Sequence, residues 1–198
     1  MSAGQPLPSA GPAADADVPR LVAAARAGDG EAFATLVRTY AARLHRFVTA
    51  LGIGAADAED VLQEAFLRAH QKLDRYDPTW AFSTWLFTIA RRLALNQLAK
   101  RRYLPLPEQA AELCASAPPE PDEDAGRIWQ QARAVLPERA YQVLWLHYGE
   151  DLDAGGVGRV LGITALHARV LLHRARARLA KALGPGRAPL SVQHGVQR

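Results

Sequence analysis

Helical hydrophobic spacing runs through almost the whole chain, and this feature limits the fold more than any other. Apolar residues recur at intervals of three and four, whereas the strict alternation typical of β-strands is nearly absent. The clearest stripe falls in the first third of the chain and comprises Phe33, Leu36, Val37, Tyr40, Leu44 and Phe47. We therefore predict an all-α protein.

Capping and breaking residues set the expected bounds of the helices. Gly28 ends a first short helix, Asp29 or Gly30 begins the second, and Gly52 with Gly54 breaks it. Asp57 is expected to be the N-cap of the third helix, because acids are favoured at a helix start. The predicted helices are 19–27, 29 or 30 to about 51, 57 onward, 82–100, 126–136, 137–149, 152–161 and 164–183.

A proline-rich segment divides the helices into two groups. Residues 103–124 contain five prolines and six acids but no Lys or Arg, which is typical of a linker. We expect two small helical domains joined by this flexible, acidic linker. The predicted divisions are a disordered tail at 1–18, a first domain at 19–102, the linker at 103–124, a second domain at 125–183 and a tail at 184–198.

The distribution of charge and of special residues excludes several classes of protein. No Asp or Glu occurs from Ala154 to the end, where Arg and Lys occur eight times, so a basic face for nucleic acid is expected there. Cys114 is the only cysteine, which excludes an internal disulfide and favours a reducing cytoplasm. The scattered histidines predict no metal site, and no apolar run is long enough to insert into a membrane.

The segment Tyr76–Arg102 combines aromatic and basic residues. It has five of the fourteen aromatic residues in its first twelve positions, followed by five Lys or Arg and no acid. Aromatic rings stack on unpaired bases and basic side chains hold phosphates, so the segment suits single-stranded or opened nucleic acid. The alternative is that the rings belong to a helical core and the charges lie on a solvated helix end.

A second signal lies in the last third of the chain. Leu152–Leu161, the turn Gly162-Ile163-Thr164 with Thr164 as N-cap, and a basic helix to about Leu183 are typical of a helix-turn-helix. Many helical hairpins have the same pattern and bind no DNA.

Four stretches together carry a family resemblance. DAEDVLQEAFLRAHQKLDRYDP, FSTWLFTIARRLALNQLAKRR, LPERAYQVLWLHYGEDL and VLGI with LHRARARL resemble the small, two-domain extracytoplasmic-function (ECF) sigma factors of bacterial RNA polymerase. The resemblance implies a cytoplasmic transcription initiation factor whose partners are core RNA polymerase, promoter DNA and, in some members, an anti-sigma factor. It implies no cofactor and no enzymatic reaction. The alternatives are a helix-turn-helix regulator that works without polymerase, or a sigma-like protein that only binds a partner.

The resemblance assigns the helix around DAEDVLQEAF to polymerase binding. An acidic, amphipathic helix would complement a basic coiled coil on the polymerase. The residues implied are Asp57, Glu59, Asp60, Gln63, Glu64 and Phe66.

The resemblance assigns the aromatic and basic segment to the minus-ten element of the promoter. There the loop would receive a flipped base of the non-template strand and the helix would contact the adjacent backbone. Leu86, Ile89 and Leu93 are expected in the core. The DNA contacts implied are Tyr76, Asp77, Trp80, Phe82, Ser83, Thr84, Trp85, Arg91, Arg92, Asn96, Lys100, Arg101 and Arg102.

The second domain resembles the minus-thirty-five reader but departs from its pattern. Gly155 and Gly156 stand where the family usually has two acids, and Val170 and Leu171 stand where it usually has Ser and Arg. Two interpretations stay open: a weakened reader, or an apolar patch of Leu166, Val170 and Leu171 that binds a protein. The DNA contacts implied are Thr164, His167, Arg169, His173, Arg174, Arg176 and Arg178.

Overall fold

The computed structural model describes residues 17–103 and 123–183, and every regular element in these two ranges is helical. The predicted all-α fold is confirmed. Residues 1–16, the tail at 184–198 and nearly all of the expected linker lie outside the described residues. The predicted disordered tail at 1–18 is wrong at its end, because Asp17 is the N-cap of the first helix and Val18 is buried in the core. The α-helices are α1 Val18–Arg26, α2 Gly30–Ala50, α3 Ala55–Gln71, α4 Phe82–Tyr103, α5 Glu123–Val135, α6 Glu138–Leu144, α7 Ala154–Leu161 and α8 Ala165–Leu183.

Two helix starts form as the capping residues predict. The Asp29 carboxylate accepts hydrogen bonds from the backbone N–H groups of Glu31 and Ala32, at 2.9 and 3.1 Å. The Thr164 hydroxyl accepts one from the N–H of His167 at 3.2 Å. Gly162 ends α7 with a φ of 66°, the left-handed conformation that glycine adopts without strain. The turn before α8 is therefore the expected helix-turn-helix turn.

The start of α3 was predicted wrongly. The N-cap is Gly54 and not Asp57, because the N–H of Ala58 already donates to the Gly54 carbonyl at 2.9 Å. Asp57 consequently lies inside the first turn, where its charge still complements the positive end of the helix dipole.

A π-helical segment continues α6 and was not foreseen. It spans Trp145–Gly149, and the N–H of Glu150 donates to the Trp145 carbonyl at 3.2 Å. Asp151 follows with a φ of 53°, which a non-glycine residue rarely adopts. This tight exit from the helix points the Glu150 side chain inward, where it is 2% exposed.

The apolar faces of the helices form two groups of buried side chains that meet. In the first group, α2 packs on α1 and α3, α3 packs on α4, and Phe47 meets Phe87 with ring centroids 5.0 Å apart. In the second, α8 packs on α5, α6 and α7, and Trp129 and Trp145 lie 4.7 Å apart. The groups join where α4 packs on α7 and α2 packs on the π-helical segment. Among the described residues no helix is long and apolar enough to cross a membrane.

Candidate nucleic-acid interface

The loop between α3 and α4 is held in place by an arginine from the first helix. After a 3-10 turn at Leu73–Arg75, the Arg26 guanidinium donates to the Leu73 carbonyl at 3.0 Å and to the Tyr76 carbonyl. Its charge also lies 5.6 Å from the centre of the Tyr76 ring. Farther along, the Asp77 carboxylate accepts from the N–H of Thr79 at 3.0 Å, which closes a short turn. The loop therefore has a defined shape.

Aromatic rings pack beneath this loop. Tyr76 lies 5.5 Å from Phe82 and 5.3 Å from Trp85, and its hydroxyl donates to the Trp80 carbonyl at 2.5 Å. Tyr76 and Phe82 are buried, and burial raises the pKa of the Tyr76 hydroxyl. Trp80 and Trp85 stay partly exposed. The predicted aromatic residues thus separate into two buried rings, Tyr76 and Phe82, and two rings that reach solvent, Trp80 and Trp85.

One face of α4 carries polar and basic side chains away from this cluster. Arg92, Asn96 and Lys100 are exposed and follow at intervals of four, so they lie in one row. Trp85, seven residues before Arg92, lies on the same face. We call Trp85, Arg92, Asn96 and Lys100 the α4 track. Arg101 and Arg102 belong to the same helix, and the structure describes no side chain for them.

Arg91, Phe82, Ser83 and Thr84 are less exposed than the basic and polar residues of the α4 track. Burial lowers the pKa of the half-buried Arg91 guanidinium, and the charge of Arg139 lowers it further. Ser83 and Thr84 are 3% and 2% exposed, and Phe82 is in the core. In this arrangement three of these four predicted DNA contacts, Phe82, Ser83 and Thr84, present no open surface, and Arg91 is only partly exposed. Of the residues expected in the core, Leu86 is fully buried, and Ile89 and Leu93 are partly buried against it.

One face of the Trp80 ring is covered by a residue of α7. The Arg159 guanidinium of α7 lies 4.4 Å from the centre of the Trp80 ring, within the range of a cation–π contact. The positive charge of Arg159 also contributes to lowering the pKa of Asp77, after the larger effect of the Thr79 hydrogen bonds. The sequence motifs gave no signal for Arg159 or Arg26.

The first half of α3 forms an acidic surface. Glu59, Asp60 and Gln63 are exposed, Asp57 and Phe66 are partly buried, and Glu64 pairs with Arg68 at 2.5 Å. Leu67 was missed, although it is 53% exposed and lies one turn beyond Gln63. Its position outside the buried stripe of α3 is the signal that could have identified it.

The predicted upstream contacts all lie on the outside of α8 or at its start. Thr164, His167, Arg169, His173, Arg174, Arg176 and Arg178 are exposed. Leu166, 68% exposed, and Val170, 38% exposed, lie between the basic residues on the same side of the helix. Leu171 packs against the core, so the apolar patch expected at 166, 170 and 171 is reduced to two residues.

The glycines of α7 lie at contacts that leave little room. A Cβ atom on Gly158 would come within 2.7 Å of the Ile163 carbonyl oxygen, so the turn itself requires glycine there. A Cβ atom on Gly156 would lie 3.0 Å from the Thr84 hydroxyl of α4. The second contact joins the two helix groups.

Comparisons with known proteins agree with this geometry. The family models for Sigma-70 region 2 and for Sigma-70, region 4 match residues 36–103 and 134–181. The ECF RNA polymerase sigma factor SigM of Mycobacterium tuberculosis is 30% identical over 83% of this chain and 83% of SigM. The chain is an ECF sigma factor. As a sigma factor it directs RNA polymerase to promoters.

Two further relatives show how much of each chain the similarity covers. The probable RNA polymerase sigma factor RfaY of Xanthomonas campestris is 33% identical over 77% of this sigma factor, which spans only 40% of RfaY. The structure of CnrH, a sigma factor of Cupriavidus metallidurans, in complex with the cytosolic domain of CnrY has a TM-score of 0.62 and 25% identity. That match covers 85% of this chain and 97% of CnrH.

The two family regions divide the site of this sigma factor. Region 2 contains the acidic surface of α3, the aromatic loop and the α4 track, and region 4 contains the helix-turn-helix. Arg159 lies in region 4, so its contact with Trp80 links the two regions. Within the described residues no three His, Cys, Asp or Glu side chains come together as a metal site.

Proposed function

We propose that the loop at 76–81 and the α4 track form the minus-ten site, with Trp80 and Trp85 as stacking surfaces. The supporting observation is that partly exposed rings and a row of polar and basic residues share one end and one face of the same helix. Stacking on an aromatic side chain contributes about 1–3 kcal/mol per base, enough to offset the few kcal/mol that base extrusion costs. Arg92 and Lys100 would hold the phosphates and Asn96 would contact the strand between them.

The acidic surface of α3 is our candidate for the polymerase contact. Glu59, Asp60 and Gln63 offer exposed charge and hydrogen-bonding groups, and Leu67 adds an apolar anchor beside them. A complementary basic surface would be steered toward such a helix. Asp57 and Phe66 would then set the start and the packing of α3 more than they touch the partner.

We assign α8 to the upstream element as a weakened reader. Its basic residues flank Leu166 and Val170, so phosphate contacts would orient the helix while the two aliphatic side chains meet thymine methyl groups. A second candidate has its own support, because Leu166 and Val170 are the large apolar residues that α8 exposes. CnrH is in complex with the cytosolic domain of CnrY. An anti-sigma factor that covers these two residues is the alternative for this helix.

The domain divisions at 19–102 and 125–183 and the cytoplasmic location stay part of this proposal. The chain would act by binding and positioning, without covalent chemistry. In that respect it differs from an enzyme, in which a nucleophile and a base would share a pocket.

Reconstitution with core RNA polymerase tests the proposal and its rivals. We expect the purified chain to be retained by core polymerase and to start transcription at specific promoters. Failure to bind core polymerase, with DNA binding intact, would indicate a free-standing regulator. Retention without any transcript would indicate a protein that only occupies the polymerase. A Glu59→Lys/Asp60→Lys variant should lose retention, whereas Arg127→Ala on α5 should not.

A further inference from the structure

The side of α8 that points away from the core carries an apolar row. The buried residues of the helix follow one another at helical spacing and are Ala168, Leu172, Ala175 and Leu179. The same spacing, begun two positions earlier, gives four exposed residues, which are Leu166, Val170, His173 and Ala177. A shift of two residues turns a helix by roughly 200°, so the second row lies opposite the first. We call these four exposed residues the outer row of α8.

Arginines flank the outer row on both sides. Arg169 and Arg176 lie two turns apart on one flank, and Arg174 and Arg178 lie one turn apart on the other. All four are exposed, and no Asp or Glu occurs from Ala154 to the end of the chain. The outer side of α8 therefore has an apolar centre between two positive edges.

This arrangement of charge fits the major groove of duplex DNA. The groove is about 12 Å wide, and a helix with its side chains is about 10–12 Å across. A helix in the groove turns its central row toward the base edges, while its two flanks meet the phosphates of the two strands. Positive charge on both edges of one helix matches two phosphate strands, so duplex DNA is the favoured occupant of this side of α8.

The chemistry of the outer row limits what it can recognise in the groove. Leu166 and Val170 would meet the base edges, because the first turns of a recognition helix contact them. Neither side chain has a hydrogen-bond donor or acceptor, so neither distinguishes the O4 acceptor of thymine from the N4 donor of cytosine. The group that an aliphatic side chain contacts there is the methyl group at C5 of a pyrimidine.

The spacing of the two aliphatic side chains sets the spacing of the methyl groups. Leu166 and Val170 are one turn apart, so their Cβ atoms are about 5–6 Å from each other. That distance is less than two base-pair steps of about 3.4 Å each. The two methyl groups would therefore belong to neighbouring base pairs.

We propose that α8 reads the C5 methyl groups of pyrimidines and accepts 5-methylcytosine as it accepts thymine, so that methylation of a cytosine in the upstream element strengthens promoter binding. The inference rests on the proposed role of α8 at that element. An unmethylated cytosine lacks the group that Leu166 and Val170 contact and binds more weakly. Promoter choice by this sigma factor then responds to the methylation of the DNA.

Selection of upstream sequences by the complete holoenzyme is the first test. The full chain with core RNA polymerase would select from duplexes that have a fixed minus-ten region and a randomised upstream region. We expect the selected duplexes to share thymines on neighbouring base pairs. A shared upstream sequence without such thymines would overturn the methyl readout and leave α8 as the reader of the element. No shared upstream sequence would overturn the proposed role of α8, and the methyl readout with it.

Base analogues then separate the methyl group from the rest of the base. Deoxyuridine in place of a selected thymine removes only the methyl group. In a duplex with cytosine at that position, 5-methylcytosine adds only the methyl group. Each methyl group should change the affinity of the holoenzyme for the duplex about fourfold, which is the effect of burying one such carbon. Equal affinity for thymine and deoxyuridine, or for cytosine and 5-methylcytosine, would contradict the proposal.

Two variants test whether the outer row carries the methyl readout. Leu166→Ala/Val170→Ala should bring the ratio of the affinities for thymine and deoxyuridine duplexes close to one, and the fold should be retained because both side chains are exposed. Arg174→Ala is the matched control, because loss of a phosphate contact lowers the affinity for both duplexes and keeps their ratio at about fourfold. A ratio that persists in Leu166→Ala/Val170→Ala, or that vanishes in Arg174→Ala, would overturn the assignment to the outer row.

Discussion

The two basic helices of the molecule, α4 in region 2 and α8 in region 4, present their charges in opposite ways. On α4 the row Arg92, Asn96 and Lys100 is open, while the flank with Thr84 and Arg91 is covered by region 4. On α8 the predicted DNA contacts are exposed. Helices with similar composition therefore differ in how freely they can meet DNA, and long-range packing makes the difference.

The largest effect is expected at the loop that begins α4. Trp80→Ala should lower the yield of open promoter complexes with core polymerase about 10- to 100-fold, because it removes a stacking surface worth about 1–3 kcal/mol. Trp80→Phe should retain a substantial part of the yield. Counting complexes that resist heparin checks both variants, and a normal yield from Trp80→Ala would remove the loop from promoter opening.

The buried pair of Arg43 and Glu150, which lie 3.0 Å apart, should make the stability of the junction between the two regions depend on pH. The folded-state pKa of Glu150 is raised from 4.5 to about 7, so its stabilising contribution is complete below about pH 4.5 and is lost as pH rises through about 7. Within this window the free energy of unfolding should fall by up to about 1.4 kcal/mol per pH unit. Urea unfolding between pH 5 and 8 measures the slope.

Glu150→Gln is the matched variant for the pH dependence. It keeps the shape of the side chain and should abolish the part of the slope that comes from this group. An unaltered slope in Glu150→Gln would assign the pH dependence to other groups.

A comparison of adjacent arginines sharpens the contrast within α4. Arg92→Ala should weaken binding of a single-stranded minus-ten oligonucleotide and reduce the salt dependence by about one phosphate contact. Arg91→Ala should leave the binding by the free protein nearly unchanged, since that side chain faces region 4. Titrations at several salt concentrations check this, and equal losses from the two variants would show that the covered flank also meets DNA.

The smallest effects are expected on α8. Arg174→Ala should weaken binding to upstream duplex and reduce the salt dependence by about one contact, with little dependence on sequence. Val170→Ser should change stability by less than about 0.5 kcal/mol because the side chain is exposed. If Val170→Ser strengthens binding to the upstream DNA, α8 acts as a weakened reader. If the variant instead releases a bound anti-sigma factor, the apolar patch on α8 acts as a protein-binding surface.

Local chemistry allowed much of the fold to be predicted from the sequence. Asp29, Gly28, Thr164 and Gly162 act within a few residues, so the helix starts and the helix-turn-helix turn followed from them. Asp57 was wrongly predicted to be the N-cap because an acid in the first turn and an acid at the N-cap give the same sequence pattern.

The junction of the regions could not be predicted in this way. Arg43 and Glu150 are 107 residues apart, and the stretch LPERAYQVLWLHYGEDL that contains Glu150 gives no sign that Arg43 is its partner. The contact of Arg159 with Trp80 likewise joins two segments whose own patterns are complete without it. Arg91 was assigned to DNA because its helical position alone does not reveal which flank another region covers.

Transcript-start mapping with reconstituted holoenzyme tests most directly whether region 2 supplies most of the promoter discrimination. We predict that the mapped promoters share a strong minus-ten sequence and a weaker upstream one, and that Trp80→Ala reduces these starts about 10- to 100-fold. Promoters that share only an upstream sequence, with starts that survive Trp80→Ala, would contradict this central claim.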